Sequence, residues 1–161
     1  MAHTMFDSPV GTLTLTADRT GLTALCFPGH AAAVCHADAD GAGFLTEACR
    51  WLEIYFSGVR PPKTPQLHLS GTPFQRTVWA LLCEIPYGQT VTYGWLAARI
   101  AEMRGGRMSA QAVGGAVGRN PVSIIVPCHR VIGADGSLTG FGGGMDRKRF
   151  LLALEGVETV R

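Results

Sequence analysis

Apolar and polar residues alternate over Met5 to Asp7 and again over Thr12 to Ala17, the period of strands with one covered face. Ser8-Pro9-Val10-Gly11 reads as the turn between them, and Leu22 to Phe27 as a third strand, so the chain predicts an opening meander. Phe44, Ala48, Trp51, Leu52, Tyr55 and Phe56 then recur at helical spacing, with Gly58 as terminator. Those aromatic residues read as core rather than as a platform for stacking bases. Pro61, Pro62 and Pro65 mark a stiff linker, Gln66 to Leu69 a last strand, and the domain boundary is expected near residue 69.

The second part reads as helices. Thr72-Pro73-Phe74-Gln75 combines a capping hydroxyl, proline at the first helical position and glutamine three residues after the cap. The helix should reach about Glu84. Phe74, Val78, Leu81, Leu82 and Ile85 give it an apolar face, which assigns Trp79 and Cys83 to packing. After a turn over Ile85 to Gln89, Thr92 caps a helix to about Ala101, a loop from Glu102 to Met108 carries Arg104 and Arg107, and Ser109 caps a helix from Ala110 to about Gly118. These last two helices form a helix-turn-helix candidate. Ala112, Val113, Ala116 and Val117 should face inward, and Gln111, Gly114, Gly115, Gly118 and Arg119 outward. Glycine costs a helix about 1 kcal/mol relative to alanine, so a bare backbone there needs a beneficiary. Close packing against another helix qualifies, and so does close approach of a sugar-phosphate backbone.

The β-branched run Val122 to Val126 predicts a buried extended segment that ends at Pro127. Gly133 to Gly136 reads as a turn, Gly140 to Gly144 as a flexible loop, and Asp146 as the cap of a last helix, Arg147 to Leu154, which delivers Glu155 just before Gly156. The fold class is therefore α/β (α+β): residues 1–69 form a small domain with a short antiparallel sheet and a helix, and residues 70–161 a mainly helical, winged-helix-like domain.

Composition narrows the partners. The 161 residues are 47% apolar, ample for a core, and no apolar run approaches the ~20 residues of a membrane span. No basic-then-apolar leader opens the chain, and five cysteines without paired spacing fit a reducing compartment, so a cytoplasmic protein without a membrane partner is expected, and a monomer. Net charge is only +2, but residues 1–69 carry −2 and the remainder +4. An ordinary solvated surface explains that split as readily as a nucleic-acid partner does.

Chemistry concentrates at Pro127-Cys128-His129-Arg130-Val131. A free cysteine is most simply a small buried hydrophobe, and a thiol near pKa 8.5 needs a base or a positive neighbour to act as a nucleophile. On extended backbone, adjacent Cys128 and His129 would point to opposite sides, so a third group or a water is needed to link them. Cys26, His30, Cys35 and His36 are zinc-ligand types close in sequence, with a partly exposed alanine-rich loop as the other reading.

PCHRV preceded by GRNP resembles the active-site signature of the O6-alkylguanine-DNA alkyltransferases, and SGTPFQRTVWALL, IPYGQTVTYGWLA, AVGGAVGRNP and LLALEG fall in that family's order from about Gly71 to Gly156. Before that, only DSPVGTLTL matches in outline. The resemblance implies a suicidal DNA repair protein that takes the alkyl group from O6 of guanine, and also from O4 of thymine, onto Cys128, once and without a cofactor. It implies that Glu155 orients His129, that His129 deprotonates Cys128 through a water, that Asn120 braces the active-site turn, and that Tyr93 donates a proton toward the guanine. Val131, Phe141 and Gly142 would line the base pocket. The partner implied is duplex DNA containing O6-alkylguanine, with the base flipped out of the stack and contacts from Thr92, Gln111, Ala112, Gly114, Gly115, Gly118, Arg119 and Arg130. Zinc ligands of some family members do not line up with Cys26, His30, Cys35 and His36, so no metal is expected.

Two positions depart from the family pattern. Gln111 stands where an arginine fills the gap left by the flipped base, leaving Arg104 or Arg107 as substitutes, and Phe141 stands where tyrosine is frequent. The competing readings are a lesion sensor that binds alkylguanine without accepting the group, a Cys/His hydrolase, and a helix-turn-helix regulator with an incidental cysteine. Sensors typically replace the nucleophile, and Cys128 is present.

Overall fold

The computed structural model describes residues 1–28, 40–138, 141 and 143–157. It divides into two compact units: Met1–Ser70 with Pro121–Ile125, and Gly71–Asn120 with Val126–Arg161.

In the first unit, strands β1 (Ala2–Ser8), β2 (Gly11–Ala17) and β3 (Leu22–Cys26) form an antiparallel sheet in that order. The Ser8↔Gly11 pairing at the tight turn sets the register, which carries through to Ala2↔Ala17. Leu13, Leu15 and Ala17 therefore fall on one buried face. Helix α1 (Ala42–Phe56) covers the sheet with Leu45, Ala48, Trp51, Leu52 and Tyr55, and the rings of Trp51 and Tyr55 stack at 5.2 Å. The expected strand over Gln66 to Leu69 shrinks to a single bridge, Leu22↔Leu67.

The β-branched run is not the expected extended segment. Val122 makes one bridge to Leu25, and Ser123 to Ile125 then turn, with Ile124 at φ 72°. A left-handed β-branched residue is strained, and burial of Val122, Ile124 and Ile125 is the compensation the structure offers. Residue type correctly announced burial here but not backbone shape.

In the second unit, α2 (Pro73–Cys83) starts with the full capping box: Gln75 N–H donates to Thr72 Oγ1, and Thr72 N–H to Gln75 Oε1. Thr92 caps α3 (Tyr93–Arg104) and Ser109 caps α4 (Ala110–Gly118), each accepting a backbone N–H at 3.0 Å. Helix α3 runs three residues past the expected end. Trp79 is buried and donates Nε1–H to the Ala116 carbonyl at 2.9 Å, tying α2 to α4. Cys83 and Ala112, expected inside, are exposed.

Strand β4 (Val91–Thr92) pairs in parallel with β5 (Val131–Ile132), bringing the start of α3 beside the end of PCHRV. Helix α5 (Met145–Leu154) begins two residues earlier than expected: Gly144 occupies the cap without a side-chain bond, and Asp146 lies inside the first turn, where a negative charge suits the helix dipole. Among the described residues no helix is long and apolar enough to cross a membrane.

Candidate active site

Val126 re-enters the second unit, and Cys128–Arg130 form one turn of 3-10 helix, not the extended backbone on which Cys128 and His129 would point to opposite sides. Asn120 holds this turn from behind, its Nδ2 donating to the Val126 carbonyl at 2.8 Å. Cys128, His129 and Arg130 are all buried.

Glu155, delivered by the end of α5, organises the cluster. Its Oε2 meets His129 Nε2 at 2.5 Å, and its Oε1 accepts from Arg130 Nε at 2.7 Å and from the Gly88 backbone N–H at 3.0 Å. Arg130 also donates to the Ile85 carbonyl at 2.7 Å and sits 5.8 Å from the Tyr87 ring centroid. Burial pushes the Glu155 pKa up, but its bonds and charge contacts with His129 and Arg130 prevail and bring it down to about 2. Glu155 is therefore an anion at any working pH. Burial is the largest influence on His129 and lowers its pKa. Glu155 opposes that shift, while Arg130 and Lys148 add to it. The imidazole is thus neutral at rest and able to take a proton.

Lys148, on α5, has no exposed surface and donates Nζ–H to the Val131 carbonyl at 2.5 Å. Burial brings its pKa down to about 8, against the pull of Cys128. The thiol itself is pushed up by burial, while the Asn120 side chain, the Lys148 charge and the backbone N–H groups of Cys128 and His129 favour its ionised form. Cys128 rests as a thiol surrounded by groups that welcome a thiolate. Tyr93, half-buried at the start of α3, is raised by burial and then by Cys128, so its phenol keeps its proton.

The structure thus gathers Cys128, His129, Glu155, Asn120, Tyr93 and Val131. Phe141 is half-buried with its ring centroid 6.0 Å from Lys148 Nζ. Gly142 lies outside the described residues, as do His30, Cys35 and His36. Among the described residues no group of three or more His, Cys, Asp or Glu is placed to hold a metal. Arg130, expected to face DNA, is instead buried in the Glu155 ion pair, and Thr92 uses its hydroxyl as the α3 cap. Sequence reasoning does not single out Lys148, because RKRF reads as a solvated helix face; the signal is its place three and four residues before the buried Leu151 and Leu152, on one helical face.

Helix α4 presents a separate surface. Gln111, Ala112, Gly115, Gly118 and Arg119 are exposed, and Arg104 and Arg107 also lie at the surface, Arg104 over the Phe74 ring at 5.5 Å. A methyl group at Gly114 would lie 3.7 Å from Tyr93, in ordinary contact, whereas at Gly115 or Gly118 it would meet nothing within 4 Å. Packing within the unit therefore does not demand glycine at Gly115 or Gly118.

Residues 73–157 match the family model described as 6-O-methylguanine DNA methyltransferase, DNA binding domain, and residues 1–68 the one described as its ribonuclease-like domain. The chain is 45% identical over 158 residues to the methylated-DNA–protein-cysteine methyltransferase of Methanosarcina acetivorans, covering 97% of this chain and 99% of that one. It is 46% identical over 151 residues to the protein of the same name from Mycobacterium tuberculosis, covering 92% and 88%. The crystal structure of Mycobacterium tuberculosis OGT in complex with DNA superposes with a TM-score of 0.83 at 44% identity over 96% of this chain and 92% of that one. With both parts matched in order over nearly the whole length, the chain belongs to the O6-methylguanine DNA methyltransferase family of DNA repair proteins.

Proposed function

We propose that this methyltransferase moves a methyl or larger alkyl group from O6 of guanine, and from O4 of thymine, in duplex DNA onto Sγ of its own Cys128, acting as a monomer after the base has been flipped out. The observation that carries the reading is Cys128 packed in one turn with a neutral His129 that is locked to the Glu155 anion. His129 takes the thiol proton through a water, Sγ attacks the alkyl carbon, the S–C bond forms as C–O6 breaks, and the purine that leaves takes a proton from the Tyr93 phenol. Asn120 braces the turn, and Val131, Phe141 and Gly142 border the base. A thioether has no leaving route here, so each molecule acts once and needs no cofactor.

The outer face of α4 is the DNA surface of this reading, with Thr92 at the start of α3 beside it. Gly115 and Gly118 leave it bare, which suits a sugar-phosphate chain approaching closer than a methyl group permits, and Gln111, Ala112, Gly114 and Arg119 complete it. Extruding a base costs a few kcal/mol, and an inserted side chain offsets part of that cost.

Incubation with a duplex carrying O6-methylguanine should raise the intact mass of the protein by one methylene unit, and peptide mapping should place it on Cys128. An unchanged mass, or the same gain on the exposed Cys83, would overturn the assignment. Gln111 occupies the wedge position without a charge. Gln111→Arg should therefore speed repair of the duplex several-fold while leaving reaction with free O6-benzylguanine unchanged, as read by single-turnover kinetics on both substrates.

A further inference from the structure

We propose that Arg130 is a positioning residue of the acid–base pair: by neutralising Glu155 through one carboxylate oxygen, it leaves the other oxygen to orient His129 without drawing a proton onto it. The inference rests on Cys128 being the alkyl acceptor and extends that reading to a side chain whose guanidinium bonds Glu155 and the Ile85 carbonyl.

The geometry divides the carboxylate in two. Oε1 takes Arg130 Nε at 2.7 Å and Gly88 N–H at 3.0 Å, and Oε2 meets His129 Nε2 at 2.5 Å. A buried carboxylate facing an imidazole with nothing else nearby would favour the imidazolium, because an opposite charge at contact distance typically raises a histidine pKa by about 1–3 units. Such a histidine arrives at the reaction already protonated and cannot accept the Cys128 proton. With Arg130 in place the Arg130–Glu155 pair has no net charge, and the bond to Oε2 fixes the ring without that bias. The guanidinium is itself fixed, by Nη1–H to the Ile85 carbonyl at 2.7 Å and by the Tyr87 ring. Other titratable groups face the same cluster: Lys148 from α5, Cys128 from the 3-10 turn, Cys83 from the end of α2 beside Arg130, Tyr87 beside Glu155 and Arg130, and Tyr93 beside Cys128. Of these only Lys148 is a cation, and it donates to the Val131 carbonyl.

Removing the Arg130 charge should raise the pKa of every proton shared by Cys128 and His129, whichever of the two carries it. Rates of Cys128 alkylation are to be measured from pH 5 to 9 with an O6-methylguanine duplex and, separately, with iodoacetamide, which reports the thiolate without guanine recognition. In Arg130→Met the acid limb of both profiles should move up by about 1–2 pH units. Arg130→Lys should keep the limb near its original place. Arg130→Met combined with Glu155→Gln, which restores zero net charge, should return it there at a lower plateau. A limb that stays put while the plateau falls in Arg130→Met, or a double variant shifted as far as the single one, would overturn the proposal. If Arg130→Met does not fold, the double variant is compared with Glu155→Gln alone: the limb of the double variant should lie higher by a similar amount, and equal limbs would overturn the proposal. Iodoacetamide profiles that behave as expected while the duplex gives no reaction in the unsubstituted protein would instead sink the alkyl-transfer reading and leave the role of Arg130 standing.

Discussion

Glu155→Gln is expected to slow alkyl transfer by about 10²- to 10³-fold, within the usual range for loss of a positioned general base. The amide can still hydrogen-bond, but it cannot balance a proton arriving on His129. The substitution also leaves the Arg130 guanidinium buried beside a neutral partner, and breaking a buried pair from one side costs about 3–5 kcal/mol. The pH dependence carries the same signature. The folded-state pKa of Glu155, about 2, lies below its unfolded value, so its contribution to stability is complete above the ordinary carboxylate range and fades as pH falls toward 2. A shift of that size corresponds to about 3 kcal/mol. Denaturant titrations at pH 7 and pH 3 should show a large gap between the two proteins at the higher pH and a small one at the lower. Equal gaps would mean that Glu155 does not stabilise as an anion.

Lys148→Met is expected to separate stability from activity. The lysine is fully buried, and its depressed pKa, about 8, means that the charge opposes folding at neutral pH and that the protein regains this stability only as pH rises from about 8 to 10.5. Methionine removes a penalty of about 3 kcal/mol, while stranding the Val131 carbonyl returns about 1–3 kcal/mol. The variant should therefore be as stable as the parent or slightly more so at pH 7. Its Cys128 loses a cation that favours the thiolate, and alkylation should slow by about tenfold to a hundredfold at pH 7, recovering at higher pH. Stability from denaturant midpoints and rates with O6-benzylguanine give the comparison. A variant both less stable and equally fast would show that Lys148 is structural only.

The helices were legible because their ends are written in local chemistry: Thr72, Thr92 and Ser109 each cap where their sequence context indicated. The meander was legible because period two and a tight turn fix a register. What the sequence could not show was decided by tertiary partners. Val122 to Val126 has the residue types of a strand, yet only Val122 finds one to pair with. Arg130 and Lys148 look like surface cations because charge along a chain says nothing about whether a carboxylate or carbonyl waits inside. Reading Gly115 and Gly118 left packing and ligand approach equally open until the space around them was known.

Gly88 lies in the turn after α2 with φ 78°, where a side chain would come within 3.1 Å of the Glu155 carbonyl, and its own N–H secures the Glu155 carboxylate. Under the proposed mechanism, a bend forty residues upstream of the sulfur is thus hardware of proton transfer. Damage there would surface as a kinetic defect, long before anyone suspected a loop.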